Sequence, residues 1–327
     1  MQKLDRNYAQ INEKQVFGMV HQNARTERIM GRDALETLRG KKVAVFGVGG
    51  VGGYVTEALA RCGIGTLELI DNDDIALTNL NRQIIATHRT LGMAKVEAFR
   101  ERIHDINPEI TVICRQTFYL PERAAEFDFG SYDFVVDAID TVTAKLDIIR
   151  RCSEAGTPII SAMGCGNRMD PTKLVLTDIY KTQMDPLAKI IRHELKKSGI
   201  RKLPVVYSTE PPIQPLPMEP EEELPTEATG ECPNTHTSEH SGEHSVNRSN
   251  GTSEQRALSN EHSIEHSTGH ASEPSGKQPG TGTNSRRSTP GSTPFVPSAA
   301  GLIIAAEVVR QLTNFDPSGR TKGGRQN

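Results

Sequence analysis

Short apolar runs alternate with amphipathic stretches along the first two hundred residues of the chain. Each run is long enough for one buried strand, and the stretches between the runs repeat apolar residues at helical spacing. The runs occupy residues 43–46, 66–70, 109–114, 134–140 and 158–162. The run at 134–140 is nearly all apolar, which is typical of a strand inside a parallel sheet covered by helices. The pattern therefore predicts an α/β fold with a mostly parallel sheet and helices on both of its faces.

The first strand leads into a glycine-rich turn, and the second strand ends on an acid. Gly47, Gly49, Gly50 and Gly52 lie between the first run and an amphipathic helix, and Asp71 closes the second run. Glycines permit a tight turn and let the backbone approach phosphate oxygens, while the N-terminus of the following helix favours anions. An acid at the end of the second strand accepts hydrogen bonds from ribose hydroxyls. This unit predicts a Rossmann-like nucleotide site; a strand-turn-helix without a ligand is the alternative.

Further polar and charged residues are expected near that turn. Asn79 and Arg82 lie in a polar loop after Asp71, and loops of that length in compact domains are usually functional. Lys95 lies in the first turn of the next predicted helix, where a cation is unfavourable, so it suggests a bound anion; a solvated lysine is the alternative. Asp140 ends the fourth run, at the strand ends where parallel sheets bind ligands.

The net charge of −3 conceals an uneven distribution along the chain. Residues 1–203 carry 29 Lys and Arg against 26 Asp and Glu, whereas residues 210–285 carry 3 against 13. The acidic part is rich in Ser, Thr, Gly and Pro and has few apolar residues, so burial cannot offset its conformational entropy. We expect a long disordered insertion here. Its six histidines make a weak metal-binding tract the less favoured alternative.

These changes of composition divide the chain into five parts. They are a helical lead-in at 1–40, a nucleotide-binding domain at 41–209, a disordered segment at 210–287, a helix docking on the core at 288–314 and a frayed tail at 315–327. The N-terminus lacks the apolar region of a signal peptide, and no apolar stretch is long enough to cross a membrane. The sequence thus predicts a cytoplasmic protein without a membrane partner.

Taken in order, these features are more specific than the glycines alone. They resemble the ATP-dependent adenylating enzymes related to ubiquitin-activating enzymes, the ThiF/MoeB/HesA family. The motifs that carry the resemblance are GVGGVG at 47–52, Asp71, TNLNRQ at 78–83, Lys95 and AID at 138–140. The resemblance covers residues 25–200 and resumes at 288–312. It implies that this turn binds ATP rather than NAD, and that the protein is an adenylating enzyme.

The resemblance also implies a role for each residue of the site. The four glycines would cover the phosphates, Asp71 would bind the ribose, and Asn79, Arg82 and Lys95 would hold the triphosphate. Asp140 would be the ligand of a magnesium ion.

A role in catalysis is further implied for an arginine of the lead-in. Arg28 corresponds to an arginine that reaches the triphosphate of the partner subunit, so the resemblance implies a homodimer. Together with Arg82, Lys95 and Asp140, Arg28 completes the set of expected catalytic residues.

Additional motifs resemble one branch of this family, the enzymes that cyclise threonylcarbamoyladenosine in tRNA. They lie at 58–61, 137–140, 170–171, 178–182, 185–187, 208–210 and 295–302. That branch adenylates the threonyl carboxylate, and ring closure then releases AMP. The implied partner is therefore tRNA carrying threonylcarbamoyladenosine. The basic residues Lys189, Arg192, Lys196, Lys197, Arg201 and Lys202 are either part of the tRNA surface or a solvated helix face.

Other interpretations stay open at this point. An enzyme that adenylates the C-terminus of a ubiquitin-like sulfur carrier, with sulfur-transfer proteins as partners, usually needs a thiol, and Cys165 is the candidate. The five cysteines include no CxxC pair, whereas sulfur-carrier activators usually hold zinc with two such pairs. A catalytically silent nucleotide-binding scaffold has no need of Arg82, Lys95 and Asp140. An NAD oxidoreductase leaves Arg82 and Lys95 unexplained.

Overall fold

A seven-stranded sheet lies at the centre of the described chain. The computed structural model describes residues 21–216 and 290–316, which belong to one compact unit. The strands are β1 (Lys42–Phe46), β2 (Thr66–Ile70), β3 (Thr111–Arg115), β4 (Phe134–Asp137), β5 (Ile159–Ala162), β6 (Leu174–Asp178) and β7 (Pro204–Ser208). Their order is β3-β2-β1-β4-β5-β7-β6, with β6 antiparallel to β7 and the other neighbours parallel. The mostly parallel α/β fold is confirmed.

Helices cover both faces of this sheet. They are α1 (Ala24–Met30), α2 (Arg32–Arg39), α3 (Gly52–Cys62), α4 (Lys95–Ile106), α5 (Val142–Ala155), α6 (Pro186–Lys197) and α7 (Phe295–Thr313). Successive residues of a strand point to opposite faces. Accordingly, Val43 and Val45 of β1 pack in the core formed with α3, α4 and α7, whereas Ala44 and Phe46 pack in the core formed with α5.

α6 belongs to a third apolar cluster at one end of the sheet. Its buried residues Ile191 and Leu195 pack with Val205 of β7 and with Ile149 of α5. This packing fixes α6 alongside β5 and β7, which matters for the surface described below.

α7 packs closely on α3 through a glycine. A Cβ added at Gly301 would lie 2.4 Å from the carbonyl oxygen of Val51. By length and composition alone, the 19 residues of α7 could cross a membrane, contrary to the expectation from the sequence that no apolar stretch is long enough. Half of the apolar window is buried inside the protein, as expected for a core helix.

Part of the predicted organisation lies outside the described residues. This applies to residues 1–20 of the lead-in, residues 217–287 of the segment expected to be disordered, and residues 317–327 of the tail. The described part of the lead-in forms α1 and α2. Its Asn23 donates to the carbonyl oxygen of Arg61 at 2.8 Å, which ties the lead-in to the end of α3.

Candidate active site

A crevice of about 420 Å³ opens at the edge of the sheet where the parallel strands end. Its walls come from residues that follow β1, β2, β3 and β4. The strand order reverses between β1 and β4, and open α/β sheets bind ligands at such a reversal. Eight of the ten residues predicted for the site line this crevice. They are Gly47, Gly49, Gly50, Asp71, Asn79, Arg82, Lys95 and Asp140.

Both the backbone conformation at position 47 and the little space around it require a glycine there. Its φ is +83°, and a Cβ added there would lie 2.8 Å from the carbonyl oxygen of Ala138. Its N–H donates to the carbonyl oxygen of Ile70 at 2.8 Å. The turn after β1 is therefore held against β2 and β4, which brings Asp71 and Asp140 to the same crevice.

Gly52 lies behind the crevice rather than on its wall. It is the first residue of α3, and a Cβ there would lie 1.8 Å from the carbonyl oxygen of Gly47. Gly50 faces the crevice, and a Cβ there would lie 3.3 Å from the Cβ of Pro297. The helix begins this close to the turn only because Gly52 has no side chain, and a side chain at Gly50 would press on Pro297 of α7.

Asp71 connects the end of β2 to the glycine turn. Its Oδ2 accepts a hydrogen bond from the N–H of Val48 at 2.9 Å, and its Oδ1 accepts from the N–H of Asp73 at 3.0 Å. A carboxylate has about four lone-pair sites, so Asp71 can stabilise the turn and still accept from a ligand hydroxyl.

Lys95 is buried beside two carboxylates. Its Nζ donates to Oδ2 of Asp73 at 2.6 Å and lies 3.5 Å from Oδ1 of Asp71. A lysine at a helix start suggests a bound anion. The protein itself supplies two anionic groups here, so the position of Lys95 does not by itself require phosphate. Asp73 is 58% exposed, and its carboxylate is therefore free to exchange for another anion.

The loop that carries Asn79 and Arg82 is stabilised by its own hydrogen bonds. Oδ1 of Asn79 accepts from the N–H of Ala76 at 3.1 Å, and Nη1 of Arg82 donates to the carbonyl oxygen of Thr78 at 2.9 Å. Nη1 of Arg82 also donates to Oδ1 of Asn81 at 2.9 Å. These bonds hold the guanidinium at the crevice before any ligand arrives.

Asp140 is exposed at the crevice, three residues beyond the end of β4. Below it, Nζ of Lys145 lies 2.9 Å from both carboxylate oxygens of Asp137 and 3.3 Å from Oγ of Ser161. Lys145 and Asp137 are fully buried. Because this pair joins the end of β4 to α5, it fixes the backbone from which Asp140 projects.

Arg28 is the second predicted residue that does not line the crevice. It lies on α1 with its side chain exposed. Its expected role concerns the crevice of a partner subunit.

Several other residues of the crevice are not among those predicted from the sequence. Asp73, Gln83 and Phe118 all line it. The buried Oε1 of Gln83 has no hydrogen-bond partner within the described ranges, and Phe118 is 45% exposed. Phe118 follows β3, so the rule that ligands bind beyond the carboxyl ends of parallel strands could have identified it.

The cysteines of the described ranges are free and poorly suited to act as nucleophiles. Burial, followed by the nearby carboxylate of Asp185, raises the pKa of the Cys165 thiol to about 12. Burial likewise raises the pKa of Cys62 and brings that of Cys114 to about 11. Thiolate is the reactive form, so these cysteines are largely inert near neutral pH. The fifth cysteine, Cys232, lies outside the described ranges.

The model of the ThiF family matches residues 21–324. The chain belongs to the ThiF family. This agrees with the sequence resemblance and with a sheet that carries a nucleotide-sized crevice at its reversal of strand order.

Among ThiF-family relatives, the chain is similar to tRNA threonylcarbamoyladenosine dehydratases. It is 46% identical to that of Bacillus subtilis over 197 residues, which cover 60% of this chain and 77% of the relative. It is 41% identical to that of Escherichia coli over 198 residues, covering 58% and 74%. The molybdopterin-synthase adenylyltransferase of Haemophilus influenzae is 33% identical over 145 residues, covering 44% and 58%.

Solved structures of the E. coli dehydratase are also similar to this chain. The E. coli dehydratase in complex with AMP superposes with a TM-score of 0.64 at 27% identity, covering 91% of this chain and 98% of that chain. The same enzyme in complex with ATP gives a TM-score of 0.57 at 38% identity, covering 61% and 87%.

Proposed function

We propose that this ThiF-family protein is an ATP-dependent tRNA threonylcarbamoyladenosine dehydratase. The observation that carries the proposal is its similarity to the Bacillus subtilis dehydratase across three quarters of that enzyme, 77% of its length. The crevice provides the chemistry, because a glycine turn, Asp71, Arg82 and Lys95 all line one space of about 420 Å³. ATP is the nucleotide that we assign to this space.

The reaction consists of two steps. In the first, a carboxylate oxygen of the threonyl group attacks the α-phosphorus of ATP, and the bond to pyrophosphate breaks. In the second, the urea-like nitrogen of the modified adenosine attacks the activated carbonyl carbon, loses its proton, and AMP leaves. The nucleoside loses one water overall, while ATP becomes AMP and pyrophosphate.

The residues of the crevice suit the first step. Negative charge builds on the phosphates as pyrophosphate leaves, and fixed cations stabilise that charge most effectively in a water-poor site. Arg82 is already held by Thr78 and Asn81, so it needs little reorganisation. Lys95 has to exchange Asp73 for a phosphate oxygen. No nucleophile from the protein is needed.

The remaining residues would orient the nucleotide. Asp71 would accept from ribose hydroxyls, Asn79 would contact the triphosphate, and Gly49 and Gly50 would leave room for the phosphates. Phe118 offers an exposed aromatic ring on the wall of the crevice.

Magnesium fits the donor set at Asp140. Mg²⁺ is commonly bound by one or two carboxylates together with substrate phosphates and several waters. Asp140 is an exposed carboxylate on the crevice, where it accepts only a 3.4 Å hydrogen bond from Oγ1 of Thr141 within the described ranges. When bound, the ion would neutralise charge on the phosphates. Within the described ranges, no group of three or more His, Cys, Asp and Glu side chains is arranged to hold a metal without a ligand.

We further propose that the protein acts in the cytoplasm as a homodimer in which Arg28 completes the crevice of the partner. Its exposed position on α1, away from its own crevice, supports this assignment. The test mixes Arg28→Ala subunits with Lys95→Ala subunits after reversible dissociation. Each variant alone is expected to be inactive, and the mixture to regain activity because one crevice then has both residues. A mixture as inactive as its components would exclude Arg28 as a residue acting between subunits.

Adenylation of a ubiquitin-like sulfur carrier is the second candidate. Its support is the 33% identity to a molybdopterin-synthase adenylyltransferase. The chain lacks CxxC pairs, and the pKa of Cys165 is raised to about 12 by burial, so a dehydratase fits better than an enzyme that works with sulfur-transfer proteins.

The deciding assay measures AMP release from ATP and magnesium with tRNA that carries threonylcarbamoyladenosine, together with mass analysis of the nucleosides. ATP-dependent loss of one water from that nucleoside is the expected result. AMP formation only with a carrier protein ending in Gly-Gly would transfer the assignment to sulfur-carrier activation. If neither substrate is turned over, a catalytically silent nucleotide-binding scaffold becomes the remaining interpretation.

A further inference from the structure

Six exposed cations form one surface around α6, which we call the basic face. Its members are Lys181, Lys189, Lys196, Lys197, Arg201 and Lys202. The stretch 181–202 contains two acids. Asp185 is buried as the N-cap of α6, where it accepts from the N–H of Ala188 at 2.8 Å, and Glu194 pairs with Lys197 at 2.8 Å. The face therefore has a clear excess of positive charge.

Arg192 does not belong to this face, although the sequence pattern includes it. Its Nη1 donates to the carbonyl oxygen of Thr182 at 3.0 Å and to Oγ1 of the same residue at 2.5 Å. The guanidinium therefore stabilises the segment that leads into α6. A substitution of Arg192 would disturb the fold and is unsuitable as a test of ligand binding.

Several exposed arginines elsewhere in the protein are neutralised locally. The pairs are Arg100 with Glu97, Arg123 with Glu126 and Arg310 with Glu307. On the basic face, Lys197 alone has an ion-pair partner within the residues that the structure describes. Both groups of cations are exposed. The three arginines elsewhere are paired with carboxylates, whereas most cations of the basic face are not paired within the described part of the chain.

The basic face extends away from the crevice, which lies at the carboxyl ends of the parallel strands, to the end of the sheet where those strands begin. α6 begins beside the end of β5, because a Cβ added at Gly164 would lie 3.5 Å from Oδ2 of Asp185. Twelve residues of α-helix rise about 18 Å, so the C-terminal end of α6, which carries Lys196 and Lys197, lies about that far along the sheet. Arg201 and Lys202 directly precede β7, at the edge where the parallel strands begin.

Lys181 joins the same end of the face. The hydroxyl of its neighbour Tyr180 donates to the carbonyl oxygen of Ile200, which brings the end of β6 next to the segment before β7. Lys189 lies one turn into α6, between this group and the crevice. The six cations thus run from near the crevice to the far edge of the sheet.

We propose that the basic face binds the sugar-phosphate backbone of the substrate tRNA at a distance from the nucleoside that reacts. The proposal rests on the proposed function, since the reacting nucleoside is assigned to the crevice. Phosphates of one nucleic acid strand are spaced by about 3.4 Å in a duplex, so 18 Å corresponds to about five base pairs. Lysine and arginine contacts of this kind position a nucleic acid without reading its sequence.

The test compares two triple variants of equal net charge. Lys196→Gln/Arg201→Gln/Lys202→Gln removes three unbalanced cations of the basic face. Arg100→Gln/Arg123→Gln/Arg310→Gln removes three balanced ones. Each is assayed for dehydration of full-length tRNA and of the isolated anticodon loop, both carrying threonylcarbamoyladenosine, at several salt concentrations.

The face variant is expected to raise KM for full-length tRNA at least tenfold, with little change in kcat. The slope of log KM against log salt should fall by about one for each lost phosphate contact. With the anticodon loop, which lacks the duplex phosphates assigned to the face, the face variant should match the wild type. The control variant should behave as the wild type with both RNAs.

Three results would overturn the proposal. Equal KM values for both triple variants with full-length tRNA would show that the face does not bind tRNA. An equal loss with the anticodon loop would show that the substitutions act on the crevice instead. If wild-type protein dehydrates neither RNA, the proposed function itself fails and this inference fails with it.

Discussion

Lys95 and Asp73 form an ion pair at the crevice, with 2.6 Å between Nζ and Oδ2. The lysine side chain is 6% exposed, whereas the aspartate is 58% exposed. A cation this deeply buried requires a partner, and Asp73 provides one. A triphosphate that enters the crevice therefore competes with Asp73 for Lys95.

Replacing the lysine should remove most of the adenylation activity. We expect Lys95→Ala to lower the rate of ATP–pyrophosphate exchange by about 10²–10³-fold, the usual loss for one fixed group that stabilises charge in a transition state. Arg100→Ala is the control, because Arg100 lies on the same helix but outside the crevice. An unchanged exchange rate in Lys95→Ala would reject the assigned role.

Replacing the aspartate should have the opposite effect on nucleotide binding. Asp73→Asn keeps the shape of the side chain but removes the charge that competes with phosphate. We expect a several-fold lower KM for ATP, while the N–H of residue 73 still donates to Asp71. A higher KM for ATP would mean that Asp73 contacts the nucleotide directly.

The turn after β1 should tolerate no side chain at its first glycine. Gly47→Ala places a Cβ 2.8 Å from a backbone oxygen at a φ of +83°, whereas Gly92→Ala has a φ of +77° and nothing within 4 Å. The left-handed conformation alone costs about 1–2 kcal/mol. In thermal unfolding, Gly47→Ala should therefore lose more stability than Gly92→Ala. Equal losses would mean that the turn moves away from Ala138 without cost.

The buried ion pair below Asp140 should be costly to break from one side. Lys145→Met leaves the carboxylate of Asp137 buried with Ser161 as its remaining neighbour, and such a change typically costs about 3–5 kcal/mol. Adding Asp137→Leu removes the unpaired charge, and the double variant should recover part of that loss. Denaturant unfolding of both variants measures the difference. A double variant less stable than Lys145→Met would contradict this account.

Magnesium dependence should report on Asp140 in particular. Asp140→Asn keeps an oxygen at the crevice but loses the charge, so more magnesium should be needed for half-maximal ATP–pyrophosphate exchange. Asp170→Asn, an aspartate outside the crevice, is the control. If both variants and the wild type require the same magnesium concentration, Asp140 is not a ligand of the ion.

Much of the fold could be predicted because its strands are short apolar runs with clear ends. β7 could not, since Pro204 begins it and the basic pair Arg201-Lys202 precedes it, so its apolar run is only Val205–Tyr207. Its stability comes from pairing with β5 and β6, which is a tertiary effect that a local pattern does not contain.

Residues of the site could be predicted where a residue type at a given position in a β-α-β unit has one usual role. The glycines before a helix predict Gly50 as a site residue, and the acid after the second strand predicts Asp71. Both residues line the crevice. Lys95 lines it too, but its place at a helix start does not by itself indicate a bound anion, because the carboxylate of Asp73, 22 residues away, already pairs with it. Phe118 has no distinctive spacing of its own, so its position beyond the carboxyl end of β3 is the one signal in the sequence that indicates it.

Cys165 allows the two candidate functions to be separated by one substitution. Burial raises the pKa of its thiol to about 12, so the thiol stays protonated and unreactive until the pH approaches that value. We therefore expect Cys165→Ala to keep at least half of the dehydration rate at neutral pH, and iodoacetamide to modify Cys165 only after unfolding. Circular dichroism of the variant serves as the folding control. Rapid modification of Cys165 in the folded protein, together with loss of turnover in Cys165→Ala, would instead favour the sulfur-carrier chemistry.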